Sequence, residues 1–406
     1  MSDLKLALTY IRSRLLITIL TVASVALGLG LAIIVLTLSQ QTQKTLSGEA
    51  DYWDVVVGAK GSPLQLVLNS LYYLDAPTGN ISDSVWTALK HDKSVAGVYP
   101  VSMGDNYLGY PIVGTTADYF QDRHPASGKN LLASGQLFSR PMEVVMGADI
   151  ARRNGTHVGD QIISAHGWGK SDDLHPDHPY TVVGILTPTG GSMDRAVYTD
   201  YHSVWKVHEH PDADEAAEAA KGPHGKAVTA LLVHLDSPGE RYQFVQELNA
   251  TLPAMAVIPV NEISKLERTF IAPLQGVLLL VAYLVVLVSS ISILISLYLT
   301  IHQRRKDIAI IRSLGATRTD VFRLITCEAA MLSGIGVIIG WLFGHGLIAV
   351  LGGLISERYG VIVNAWQVHP TETVIVITVW ALGILAGMLP AIMAYRLSVA
   401  DTLVQE

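Results

Sequence analysis

The chain has a single cysteine, Cys327, among its 406 residues, so no disulfide can form within it and cysteine usage does not report its redox compartment. Charge is scarce. Charged residues make up 16% of the sequence, and a net charge of −7 leaves no basic excess for nucleic acid. A phosphate-binding loop is also missing: Gly169-Lys170-Ser171 comes nearest, but the glycine that Gly-x4-Gly-Lys-Ser needs five positions before Gly169 is Ser164. No nucleophile–base pair or complete metal-ligand set can be assembled from the polar half of the chain, which argues against a membrane-bound enzyme.

What the chain has in quantity is apolar sequence. Hydrophobic residues account for 50% of it and mean hydropathy is +0.36. They are gathered in four runs, Leu15–Leu38, Phe270–Ile301, Ala329–Ile355 and Thr373–Tyr395, each long enough to cross a hydrocarbon layer of about 30 Å. The third span is taken to begin at 324. The second, at about 1.5 Å per residue, would reach roughly 48 Å and so must tilt or project. Leu15–Leu38 is longer than a signal-peptide core and lacks an Ala-x-Ala site, so it is expected to stay in the protein.

Basic residues orient the spans. Residues 1–14 carry Lys5, Arg12 and Arg14 against Asp3, and 302–323 holds six Lys/Arg against two acids. The 356–372 link has only Arg358, with Glu357 and Glu372, and the 41–269 segment has 27 acidic and 17 basic residues. By the positive-inside rule both termini and the 302–323 link are cytoplasmic, and 41–269 lies outside. The expected architecture is a membrane protein of four transmembrane helices with a large α+β periplasmic domain inserted between helices 1 and 2. Residues 39–60 and Asn261–Phe270 read as helical stalks at its two ends. A core subdomain is expected from about 45–112 and 227–265, with a mostly β subdomain over 113–226. Residues 396–406 form a cytoplasmic tail.

The most specific stretch follows the second span. Arg304-Arg305-Lys306-Asp307 opens a short amphipathic segment with Ile308, Ile311 and Leu314 at helical spacing. Gly315 can end that helix in the left-handed conformation, and Thr317-x-x-Asp320 can cap the next one. By spacing alone, this is either a basic inter-helical link or a part that another protein pushes on.

RRKDIAIIRSLGATRTDVFRLITCEA (304–329) resembles the signature of MacB/FtsX-type permeases of ABC transporters, the type VII architecture. GQLFSRPMEVVMGADIARRNGTHVGDQIISAHG (135–167) resembles that family's periplasmic core, and GMLPAIMAYRLSVADTLVQE (387–406) its C-terminal end. The resemblance implies that 304–314 is a coupling helix seated in a groove of a cytoplasmic ABC ATPase. It assigns ATPase coupling to Arg304, Arg305, Lys306, Asp307, Ile308, Ile311, Leu314 and Gly315. It also implies ATP and Mg²⁺ on that partner only, a second permease chain (a homodimer) and a periplasmic protein or lipoprotein partner in a bacterial inner membrane. Some family members carry the ATPase at the N-terminus, and the chain departs from them there. An FtsX-like signalling or scaffold role, or a lipoprotein-releasing role of the LolC/LolE kind, stands as the alternative to export.

Arg323, Glu328 and Arg396 are expected at the membrane interface, with Glu328 pairing with a basic residue there. His345, between Gly344 and Gly346, is expected in close helix packing. Nine of fourteen histidines fall between 157 and 234. His166, His175, His178, His208, His210 and His224 are candidate zinc ligands, because imidazole and carboxylate at short spacing suit a borderline ion. A His-rich polar loop, or a pH-sensitive one, accounts for the same residues.

Overall fold

The structure is a computed structural model. It describes residues 15–121, 130–169, 171–207, 227–359 and 364–396, without the side chains of Lys306 and 355–359. The described chain separates into two compact units, one built on the residues before Thr42 with Phe270–Arg358 and those after Ile362, the other on Thr42–Thr269 with the short Tyr359–Ile362 stretch.

The first unit contains four helices long and apolar enough to cross a membrane. They are Leu15–Tyr52, which enters the second unit at Thr42, Ala272–Gln303, Arg318–Tyr359 and Pro370–Tyr395. The second of these is preceded without a break by Pro259–Leu266 and a π-helical turn, Glu267–Ile271. No Gly or Pro interrupts 261–269, which is why the helical pattern persists there.

Packing among these helices follows their small residues. A Cβ added at Gly340 would lie 2.8 Å from the Ala26 carbonyl oxygen, and at Gly336 2.7 Å from Val25 Cβ. Gly336, Gly340 and Gly344 therefore let the third helix approach the first along one stripe. Gly383 and Gly387 do the same for the fourth helix, against Ser333 and Ala329 of the third. Gly346 meets nothing within 4 Å and takes no part in this contact. Ser24 and Ser289 hydroxyls, 2.7 Å apart, link the first and second helices.

The second unit is a mixed sheet with helices. Its strands are β1 (Val55–Gly58), β2 (Ile81–Ser82), β3 (Val95–Tyr107), β4 (Tyr110–Thr115), β5 (Leu132–Gly135), β6 (Glu143–Met146), β7 (Gln161–Ile162), β8 (Ala165–His166), β9 (Tyr180–Leu186), β10 (Val197–Asp200), β11 (Ala227–Val228), β12 (Ala230–Leu235) and β13 (Met255–Val257). Eleven of them form one sheet in the order β13-β1-β12-β3-β4-β10-β6-β9-β5, with β7 on β9 and β8 on β3. Among the described residues, only β4–β10 and β6–β9 pair in parallel.

The uniformly apolar β1 is explained by burial on both faces. Val55 and Val57 join Leu231 and Val233 of β12 in one core with Trp86 and Phe244, from the helices Asp83–Lys90 and Arg241–Thr251. Val56 and Leu232 face a second core containing Trp53, Leu66 and Tyr198. A third core, around Ile112, Met146, Tyr180 and Val197, lies wholly within the segment between β3 and β11.

Candidate functional site

The link between the second and third membrane helices forms a tightly closed unit. Arg304 breaks the second helix, and its N–H donates to Thr300 O and Ile301 O at 3.1 and 3.2 Å. The helix Arg305–Ser313 then runs for nine residues. Gly315, at φ +109°, donates to Arg312 O at 3.1 Å, and Ala316 N–H donates to Ile311 O at 3.2 Å. This is the paired Schellman closure, and only glycine adopts its φ without strain.

Thr317 and Asp320 then make the reciprocal cap read from the sequence. Asp320 Oδ2 accepts from the Thr317 hydroxyl and backbone N–H at 2.7 and 2.8 Å, and Thr317 Oγ1 accepts from Asp320 N–H at 3.2 Å.

The short helix presents its apolar residues unevenly. Ala309 is buried and Ile308 packs on the membrane core of the unit, whereas Ile311 and Leu314 are 37% and 82% exposed. Arg305 and Asp307 are exposed beside them. Beneath the helix lies a pocket of about 210 Å³ lined mainly by apolar residues, with Arg304, Asp307 and Glu328 at its wall. Glu328 is 7% exposed rather than lying at an open surface, while Arg323 and Arg396 are exposed.

The histidines divide. His208, His210 and His224 lie outside the described residues. His166 on β8 and His175 come together with Asp105 on β3, their ligating atoms all within 4.8 Å of one another. His178 does not join them; its N–H donates to His175 O at 3.2 Å. Asp105 is 1% exposed, and burial pushes its carboxyl up to about 7 while His166 pulls the other way. The false phosphate loop sits in the same β8 hairpin: Ser164 is fully buried, and among the described residues no α-helix begins between Gly169 and β9.

Residues 18–251 match the MacB-like periplasmic core domain, and residues 279–399 match the FtsX-like permease C-terminal domain. The chain belongs to the MacB/FtsX family of ABC transporter permeases. It is 27% identical over 233 residues to an uncharacterized ABC transporter permease of Methanocaldococcus jannaschii, a match covering 56% of this chain and 55% of that protein. It is 23% identical to the uncharacterized ABC transporter permease YvrN of Bacillus subtilis over 99% of both chains. A stretch covering 36% of this chain is 27% identical to the macrolide export ATP-binding/permease protein MacB of Chromobacterium violaceum, of which it spans 22%. The chain thus spans about half the Methanocaldococcus jannaschii relative and about a fifth of that MacB.

Two residues of this permease escaped sequence reasoning. Glu372, counted from sequence as a link residue, is 1% exposed in the first turn of the fourth helix and faces His345 of the third. Asp105 carries no local pattern that marks it as a partner of histidine. In both cases the signal lies in pairing across the fold, which periodicity does not register.

Proposed function

We propose that this permease transmits the work of ATP hydrolysis, carried out on a separate cytoplasmic ATPase subunit, to the α+β domain on the far side of a bacterial inner membrane. The single observation that carries this reading is the nine-residue helix Arg305–Ser313, whose rigid closure at Gly315 leaves Leu314 82% exposed. An apolar side chain held out beside Arg305 and Asp307 suits insertion into a groove with a charged rim. Arg304, Arg305, Lys306 and Asp307 are assigned to that rim, and Ile311 and Leu314 to the groove. Ile308, packed on its own bundle, ties the helix to the membrane core.

The excess of Lys/Arg in 302–323 supports placing this link and both termini in the cytoplasm. Displacement of the short helix pulls on the second and third membrane helices, and helical segments run from the first and second toward the α+β domain. The second membrane helix leaves a broad apolar face exposed, Leu280, Leu284, Leu287 and Ile291 among it, which suits lipid and a second permease chain. The cargo is a periplasmic protein, a lipoprotein or a small molecule.

The test is turnover in vesicles reconstituted with the co-purified ATPase. Leu314→Asp should insert normally and lose most of the permease-dependent stimulation. Unchanged stimulation, or failure of any nucleotide-hydrolysing subunit to co-isolate, overturns the reading.

A further inference from the structure

We propose that Asp105, His166 and His175 bind a divalent transition-metal ion of the zinc class, clamping the β8 hairpin onto β3. The proposal rests on where the chain puts these three donors. His166 Nδ1 and His175 Nε2 lie 3.6 and 3.7 Å from the same oxygen, Asp105 Oδ1. Those separations gather the three donors around one point. They are close to the roughly 3.3 Å between two ligands that each sit about 2.0–2.1 Å from a tetrahedral Zn²⁺. With the donors all within 4.8 Å, binding needs a closure of at most about 1.5 Å.

The frame holding these donors is fixed by backbone bonds that need no ion. Asp105 stands directly opposite His166 in the β3–β8 register. Gly167 N–H donates to Gly104 O at 2.8 Å, and the Asn106 amide donates to Ala165 O and Gly167 O at 3.2 and 3.0 Å. Across the hairpin, His166 N–H donates to Asp173 O at 2.7 Å and His175 N–H to Ser164 O at 2.9 Å. Both imidazoles are thus anchored through their own main chain, and the rings meet edge to face at 5.9 Å. Such preorganisation lowers the cost of assembling a ligand set.

The environment points the same way. The Asp105 side chain is fully buried, and a carboxylate out of water is costly unless a cation compensates it. The hydroxyl of Tyr180, within reach of the Asp105 charge, is fully buried and hydrogen-bonds to no described residue. His166 is half exposed, so an ion can enter from solvent. Two imidazoles and one carboxylate suit zinc, with a fourth position left for solvent or a partner's donor. The clamp would hold in place the hairpin that displays Trp168 and Leu174, 38% and 53% exposed.

The experiment uses the full chain in detergent, stripped with chelator and free of any affinity tag, titrated with Zn²⁺ against a chromophoric competitor. One micromolar or tighter site per chain is expected, together with a rise in unfolding temperature. His166→Gln and His175→Ala should each weaken that site by about tenfold or more, whereas His202→Ala, which removes a ring paired with Asp200, should leave it unchanged. His166→Gln alters a half-exposed side chain, so folding is preserved, and the unfolding temperature without metal checks this. Absence of Zn²⁺ binding overturns the proposal, as does full-strength binding in the His166→Gln/His175→Ala double variant.

Discussion

His345 Nε2 lies 3.2 Å from Glu372 Oε2, joining the third and fourth membrane helices through two fully buried side chains. Glu372 Oε1 also accepts from the Thr37 hydroxyl of the first helix at 3.2 Å. A carbonyl can only accept, so His345 Nδ1 donates to Ala365 O, which leaves Nε2 to face Glu372 Oε2. Trp341 and Trp366 flank the imidazole at 4.5 and 5.9 Å. Four segments of the membrane unit therefore meet at one polar node.

Removing one member of this pair should cost more than removing both. Glu372→Leu leaves His345 without its partner in an apolar setting, where breaking a buried pair typically costs about 3–5 kcal/mol. His345→Leu/Glu372→Leu should recover much of that. Thermal unfolding of the four proteins in mild detergent measures it, and additive losses would mean that the pair is not coupled.

Gly387 is expected to control the approach of the fourth helix to the third. A Cβ there would stand 2.2 Å from Ala329 Cβ. Gly387→Ala should destabilise the membrane unit by about 1–3 kcal/mol, the range for overpacking. Ala329→Gly, which removes the opposing methyl, should rescue it. No rescue in the double variant would place the strain elsewhere.

The closure of the short cytoplasm-assigned helix can be tested at Gly315. Gly315→Val forces a β-branched residue to φ +109°, a strain of about 1–3 kcal/mol. It should cut permease-stimulated ATP turnover, because Leu314 then loses its fixed position. Gly315→Asn, which tolerates positive φ better, should retain more stimulation. Equal turnover in both variants would show that the closure is not needed for coupling.

Asp194 should give the α+β domain a measurable pH dependence. Its buried carboxylate accepts from Thr189 N–H, Thr189 Oγ1 and Gly190 N–H, yet burial, reinforced by Asp149, holds its pKa above the ordinary carboxylate value. A raised folded-state pKa means a contribution present below the unfolded value of about 3.9 and lost as pH rises through the folded one. Unfolding temperatures of the full chain between pH 4 and neutrality should fall less steeply with rising pH in Asp194→Asn than in the parent. An identical slope would remove Asp194 as the source.

The local features were legible because their causes are local. Gly315 ends its helix and Thr317 caps the next through contacts no more than five residues apart, and a linear reading can see that far. Trp53 and Asp105 were not legible in the same way. Trp53 packs beneath the sheet with Tyr119 and His234, and Asp105 acquires its histidine neighbours only when β8 folds onto β3. The glycine stripe was half readable: the glycines flanking His345 promised close packing, but only the contacts show that Gly336, Gly340 and Gly344 provide it and Gly346 does not.

The amino-acid order alone settled the four apolar crossings, the interposed polar domain and the short capped helix, since each follows from hydropathy, charge or a backbone preference acting over a few residues. Which face of each helix is covered, how Glu372 comes to sit against His345, and that two histidines share an aspartate were decided by tertiary packing. These depend on side chains far apart in the chain being brought out of water together, and no short window of sequence contains both partners.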